Sequence, residues 1–261
     1  MSQNDPTSRF SDRVAEYVQC RPSYPPPLLP LLERECGLSS SSDVADIGSG
    51  TGILSKIFVE NGNSLFAIEP NAAMRAAGEA LLIGFPNFHS RSATAENTGL
   101  PDGSIDFVVS GQAFHWFDAA LALPEFQRIL RPGGWIILIW NERRLDATPF
   151  LAAFERLLRR WGSDYDKVAA SYKSSEKLAE FLHPGALRTA SFPNRQQFNR
   201  EGLRGRLLSA SYVPRSGDPN YAPMMAELDR IFEEHQKNGL VEMEYDCRVY
   251  YGQPRVAKSD T

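Results

Sequence analysis

The chain has 261 residues, 42% of them hydrophobic, which is enough for a sizeable core and compatible with one α/β domain. Its formal net charge of −4 at pH 7 shows no basic excess, so no nucleic-acid partner is expected. The three cysteines, Cys20, Cys36 and Cys247, form no CxxC pair and no His/Cys cluster, which argues against a disulfide framework or a metal site.

Residues 1–8 are small and polar and read as disordered. No apolar signal core follows Met1, and no apolar stretch approaches the ~20 residues that span a bilayer. A cytoplasmic protein without membrane contact is therefore expected. Arg9–Gln19 reads as a short helix with Phe10, Val14, Tyr17 and Val18 on one face. Arg21-Pro22-Ser23-Tyr24-Pro25-Pro26-Pro27 stops it. Leu28–Cys36 reads as a second helix, and Ser39–Ser42 as a loop into the first strand.

From Asp43 to Asn141 short apolar runs alternate with helical stretches. The runs are Asp43–Ile47, Ser64–Glu69, Phe88–Ser92, Ile105–Ser110 and Trp135–Asn141, and each reads as a strand. Helical pattern falls near Gly52–Asn61, Asn71–Leu82 and Asp118–Leu130, and is weak between Ser92 and Ile105. Such alternation predicts right-handed crossovers and a doubly wound, mostly parallel α/β sheet with helices on both faces. Pro101-Asp102-Gly103 and Arg131-Pro132-Gly133-Gly134 read as turns. After Asn141 the rhythm breaks. Thr148–Trp161, Ser174–Leu182, Glu201–Ser209 and Met224–Lys237 look helical, Ser191–Phe198 is a candidate strand, and Leu240–Tyr251 alternates with period two. The second half is expected to complete the sheet and cover the site rather than to form its own domain.

The strongest local signal is Asp43-Val44-Ala45-Asp46-Ile47-Gly48-Ser49-Gly50-Thr51-Gly52. A strand ends, glycines occupy alternate positions, and a helix starts. Glycine there admits positive φ and lets backbone approach a ligand, while the helix N-terminus favours a negative group. A dinucleotide fingerprint needs its third glycine at position 53, where the residue is Ile53, so that pattern is broken. Glu69 ends the next strand, where a carboxylate can accept hydrogen bonds from a ribose diol.

These residues resemble the class I S-adenosylmethionine-dependent methyltransferases, with Asp46–Gly52 similar to their first motif. Within that class the chain is most similar to the trans-aconitate methyltransferase-like small-molecule enzymes. Four stretches carry this narrower likeness: Tyr17 with Arg21–Pro25, Ala95-Glu96 with Leu100-Pro101-Asp102, Gln112–Phe117, and Phe126–Gly134. The class likeness covers residues 10–141. The resemblance implies a seven-stranded sheet, an N-terminal lid over 10–37, a cofactor-binding core over 43–141 and an acceptor-site cover over 142–261.

It also implies roles. Gly48, Ser49, Gly50 and Gly52 approach the methionine and ribose of S-adenosylmethionine, with Asp46 orienting the amino group or the loop. Glu69 takes the ribose hydroxyls, and Pro70 and Asn71 border the adenine. Thr94, Ala95 and Glu96 follow the third strand near the adenine, Thr94 standing where family members often have an acid. Ser110, Gly111 and Gln112 lie beside the donor methyl, and Tyr17 and Arg21 cover the cofactor, which leaves as S-adenosylhomocysteine.

Methyl transfer from a sulfonium needs alignment more than covalent catalysis. A carboxylate acceptor is already ionised at neutral pH and needs cationic clamps, for which Arg143, Arg144 and Arg215 are candidates. A hydroxyl or amine acceptor needs a base, and His115 is the first choice. Trp116 and Tyr212 are expected in the acceptor wall. The expected activity is methylation of a small molecule, first a carboxylic acid oxygen, by a monomer or homodimer. A nicotinamide-dependent oxidoreductase and a non-catalytic S-adenosylmethionine-binding regulator are the alternatives.

Overall fold

A computed structural model describes residues 20–163, 165, 174–182 and 186–254, together with Val14 and Val18. Tyr17 and most of the expected first helix lie outside the described residues. Seven strands form one sheet in the order β3-β2-β1-β4-β5-β7-β6. They are β1 (Asp43–Ile47), β2 (Ser64–Ile68), β3 (Phe88–Arg91), β4 (Ile105–Gly111), β5 (Leu130–Arg143), β6 (Arg188–Phe198) and β7 (Val241–Gly252). The first five are parallel, and β7 lies antiparallel between β5 and β6.

The helices are α1 (Leu28–Cys36), α2 (Ile53–Glu60), α3 (Ala72–Leu82), α4 (Ala119–Ile129), α5 (Pro149–Trp161), α6 (Ser174–Phe181), α7 (Arg200–Leu208) and α8 (Tyr221–His235). Polar caps start four of them. Asn71, Asp118, Thr148 and Asn199 each accept from backbone N–H groups of the first turn. Consecutive strand residues feed opposite layers, as the pleat requires. Val44, Phe107, Ile137 and Ile139 pack with α1 and α2 on one face. Ala45, Val108, Ile136 and Leu138 pack with α4 and Leu178 of α6 on the other. A third cluster joins α5, α7 and α8 to Val241, Met243 and Tyr245 of β7.

Three boundaries differ from the sequence reading. β5 begins at Leu130, directly after α4, because Leu130 already pairs with Ile105. The Pro132-Gly133-Gly134 turn is absorbed as an irregularity in that pairing, with Gly133 at φ 84°. β6 starts at Arg188 because Arg188–Ala190 pair with Val249–Tyr251. α8 starts at Tyr221, with Pro223 in its first turn, where a missing N–H costs nothing. Among the described residues no helix is long and apolar enough to cross a membrane, and no group of His, Cys, Asp and Glu is placed to hold a metal.

Candidate active site

The carboxyl ends of the parallel strands share one edge of the sheet, and the glycine turn sits there. Gly48, Gly50 and Gly52 adopt φ of 69°, 57° and 82°. The N–H groups of Gly48 and Ser49 donate to the Ile68 carbonyl at 2.9 and 3.1 Å, tying the turn to the end of β2. Glu69 follows, 8% exposed. Its carboxylate accepts from Gly50 N at 2.9 Å and Asn71 N at 2.8 Å. Burial pushes its pKa up, while these two N–H groups and Arg75 oppose the shift. The turn and the acid that the sequence singles out are therefore in direct contact.

The three glycines do different work. A Cβ on Gly48 would stand 2.6 Å from the Ala113 Cβ, so the loop after β4 needs that position bare. A Cβ on Gly50 meets only the Met74 Cε at 3.4 Å. Its positive φ is what favours glycine. Gly52 caps α2 and packs against Gly78 and Leu82 of α3. Asp46 lies beneath the turn, 0% exposed. Ser55 donates to its Oδ2 at 2.6 Å, and its Oδ1 has no partner among the described residues. Burial raises its pKa to about 7, Ser55 counteracts, and the Glu69 charge adds to the rise. Asp46 and Ser49 border a small recess of about 40 Å³ next to the main cleft.

That main cleft has a volume of about 520 Å³. Gly48, Gly50, Glu69, Pro70 and Asn71 line one end, and Thr94, Ala95 and Glu96 continue that wall. Asn71 also caps α3, its Oδ1 accepting from Ala73 N and Met74 N. Glu96 accepts from Asp118 N at 2.9 Å, which fixes the start of α4. Gly111 and Gln112 line the middle. Gln112 holds φ at 60°, a left-handed conformation costing on the order of 1–3 kcal/mol. Its N–H donates to Ile139 O at 2.9 Å and its Nε2 to Asn141 O at 3.2 Å. Arg21 closes the cleft from the N-terminal side, donating to Ser209 O at 2.8 Å.

The far end is aromatic. His115 and Trp116 line it from the short 3-10 turn Phe114–Trp116, with ring centroids 4.7 Å apart. Tyr165 and Tyr212 also line it, edge to face at 5.2 Å. Arg143 enters from β5, its side chain 9% exposed. Its Nη2 donates to Glu155 at 2.6 Å and to the Tyr165 hydroxyl at 3.1 Å. Its guanidinium carbon lies 5.3 Å from the Phe154 ring centroid. Its Nη1 is buried with no hydrogen-bond partner among the described residues.

Residues 45–138 match a family described as methyltransferase domain. Over 229 residues the chain is 31% identical to an uncharacterised methyltransferase of Schizosaccharomyces pombe, spanning 86% of this chain and 87% of that one. The chain belongs to the class I S-adenosylmethionine-dependent methyltransferases. An uncharacterised methyltransferase of Mycobacterium bovis is 39% identical over 146 residues, 54% of this chain and 56% of its own. Among solved structures, a candidate type II methyltransferase from Anaeromyxobacter dehalogenans superposes with a TM-score of 0.68 at 22% identity, covering 90% of this chain and 99% of that one. At that identity the likeness shows the fold. The family sets aside the nicotinamide oxidoreductase and the non-catalytic regulator.

S-adenosylmethionine is the cofactor of this methyltransferase, and the residues present fit it. Glu69 keeps lone pairs after accepting its two backbone bonds, as a ribose diol requires. Gly48 and Gly50 leave backbone bare beside it.

Four expected site residues are corrected in the methyltransferase. Ser110 is buried and donates to Ile47 O at 2.9 Å, so it pins β4 to β1 behind the cleft. Gly52 faces α3 instead of the cleft, because it is the cap of α2. Arg144 pairs with Asp246 at 2.8 Å and Glu244 at 3.1 Å. Those partners on β7 engage Arg144, and unlike Arg143 it is not in the lining of the cleft. Arg215 is not in the lining, because the chain turns at Arg215–Asp218 on its way into α8.

The lining residues that sequence reasoning missed include Met74, Asn141, Glu142, Tyr165, Arg206 and Tyr245. Tyr245 reaches the site because β7 pairs antiparallel with β5, placing Tyr245 opposite Arg143. No local pattern in the chain announces that register.

Proposed function

We propose that this methyltransferase transfers its methyl group to a small molecule, to an oxygen of a carboxylic acid, in the manner of the trans-aconitate methyltransferase-like enzymes. One observation carries the reading. Along the carboxyl edge, in the order β2, β1, β4, β5, stand Glu69, Gly48, Gly111 with Gln112, and Arg143, all lining one cleft. In this reading Glu69 binds the ribose hydroxyls, and Gly48, Ser49 and Gly50 offer bare backbone. Pro70, Asn71, Thr94, Ala95 and Glu96 border the adenine. Arg21 closes over the cofactor, with Asp46 beneath the methionine end.

S-adenosylmethionine, when bound, supplies a methyl carbon that is already electrophilic on its sulfonium. The chain then has to orient the acceptor and exclude water. Alignment of this kind is worth up to about 7–11 kcal/mol. Gln112 and Gly111 flank the transfer region. Arg143, Trp116 and Tyr212 hold the acceptor, and a guanidinium matches a carboxylate. A carboxylic acid with a pKa near 4 is ionised at neutral pH and needs no base. His115 is then a wall residue, and it becomes the base only for a hydroxyl acceptor.

The test pairs two assays. Isothermal titration with S-adenosylhomocysteine measures the cofactor half, and transfer of labelled methyl to a panel of acids, phenols and amines measures the acceptor half. His115→Ala is expected to change turnover less than threefold with an acid. A loss on the order of a hundredfold or more would mean general-base catalysis and an acceptor with a proton to lose.

A further inference from the structure

We infer that Tyr24 is a further cofactor-binding residue: its hydroxyl holds the amino-acid arm of S-adenosylmethionine in the small recess beside the main cleft, and Gly111 lacks a side chain so that this hydroxyl fits. This rests on the cofactor placement proposed above and adds a residue to it. The observations are the seat of the Tyr24 hydroxyl on Gly111 and the chemistry of the recess that both residues line.

Gly111 ends β4 at the carboxyl edge of the sheet. It is not among the glycines with positive φ, so backbone conformation does not reserve its position for glycine. Close approach reserves it instead. A Cβ there would overlap the Tyr24 hydroxyl oxygen and would stand 3.0 Å from the Tyr24 Cζ and 3.1 Å from the Leu54 Cδ2. The phenol is fixed in this seat. Its ring packs against the cluster that joins α1 and α2 to Val109 and Ile139. The residue before it is tied down, because Ser23 O accepts from Asn194 Nδ2 at 2.7 Å and from Asn141 Nδ2 at 3.3 Å. After it come Pro25, Pro26 and Pro27, whose restricted φ leads the chain directly into α1.

Tyr24 and Gly111 line the recess with Arg21, Asp46, Ser49 and Thr51. Arg21, Gly48, Gly50, Gly111 and Gln112 border both the recess and the main cleft, so the two spaces meet along these residues. A sulfonium carries three arms. With the ribose at Glu69 and the methyl directed along the cleft toward Arg143, the recess is the space left for the amino-acid arm. Its groups match a zwitterion. A guanidinium and a phenol hydroxyl suit a carboxylate, and Asp46 suits an ammonium. Asp46 Oδ1 and Thr51 Oγ1 are buried with no hydrogen-bond partner among the described residues, a cost that an ammonium in the recess offsets. Holding the far end of this arm also limits how the sulfur can turn, and with it the direction of the methyl, which is the alignment that the reaction requires.

The experiment is isothermal titration of the full chain with two ligands. One is S-adenosylhomocysteine. The other is methylthioadenosine, which keeps the adenosine and the sulfur but has no amino-acid arm. Tyr24→Phe keeps the ring and removes the hydroxyl. It should weaken S-adenosylhomocysteine by about tenfold and leave methylthioadenosine within about twofold. The second ligand also reports that the variant retains a folded adenosine site. Gly111→Ala, whose Cβ displaces the same hydroxyl, should lose a similar factor for S-adenosylhomocysteine, and the double variant should lose little more than either single one, because the two changes remove one contact. Equal weakening of both ligands by Tyr24→Phe, or no weakening of either, overturns the role of Tyr24 and leaves the cofactor placement standing. Losses that add in the double variant overturn the pairing of Tyr24 with Gly111. Failure of the folded, unaltered protein to bind either ligand overturns the cofactor placement as well.

Discussion

The Glu69 carboxylate joins the end of β2 to the Gly50 amide of the turn after β1, and its remaining lone pairs are what the ribose reading uses. Glu69→Ala therefore removes a loop anchor and, in the proposed reading, a ligand contact with it. Titration with S-adenosylhomocysteine should show binding weaker by about 1–3 kcal/mol, and an unchanged affinity would contradict the assignment. Asp46 gives a second residue-level prediction. Its folded pKa is raised to about 7, chiefly by burial, against roughly 4 in the unfolded chain. The native state holds that proton more tightly. Its contribution to stability is fully present below about pH 4 and is lost as pH rises through about 7. The melting temperature of the cofactor-free protein should fall between pH 5 and 8. Asp46→Asn, which can still accept from Ser55, should flatten that fall, and an identical slope in the variant would contradict the account. Glu69 and the glycine turn were legible in the sequence because local order carries them: strand, turn, helix, next strand, acid. Choosing between Arg143 and Arg144 was not possible locally. The pleat separates them, but which one faces the cleft depends on what α5 and β7 place on each side.

At the scale of elements, the glycine turn can be dissected by two substitutions that look alike in sequence. Gly48→Ala puts a Cβ 2.6 Å from that of Ala113 and forces a left-handed alanine, so a cost of about 2–4 kcal/mol is expected in urea unfolding. Gly50→Ala has only the Met74 Cε at 3.4 Å to meet, and about 1 kcal/mol is expected from its φ alone. Equal losses would mean that the loop after β4 does not press on the turn as described. The strands and helices themselves were readable. Short apolar runs mark the parallel strands, a period-two run marks β7, and polar caps such as Asp118 and Thr148 mark helix starts through local chemistry. The start of β5 was misread because Pro132-Gly133-Gly134 carries turn chemistry, and only the pairing of Leu130 with Ile105 draws that segment into the sheet. The 3-10 turn that presents His115 and Trp116 lies between β4 and α4, where sequence showed the motif without its geometry.

In the whole molecule, the cleft is closed by segments far apart in the chain. Residues 20–24 are sewn across its edge: Arg21 donates to Ser209 O, Gln196 to Cys20 O at 3.4 Å, and Asn194 to Ser23 O at 2.7 Å and Asn141 Oδ1 at 2.9 Å. Asn194→Ala should raise amide exchange at residues 20–24 while costing about 0.5–1.5 kcal/mol of global stability. Unchanged exchange there would show that the strap is held by other contacts. The end of the cleft around Arg143 draws on β5, the segment around Tyr212 and β7, with Glu155 of α5 holding Arg143 from behind, and this convergence is why the second half resisted a reading from one sequence. The most direct test of the account is a crystal structure with S-adenosylhomocysteine bound. The account predicts both ribose hydroxyls within hydrogen-bond distance of Glu69 and the sulfur beside Gly111 and Gln112, open toward Arg143 and Tyr212. Adenosine bound elsewhere, or a sulfur walled off from Arg143, would contradict it.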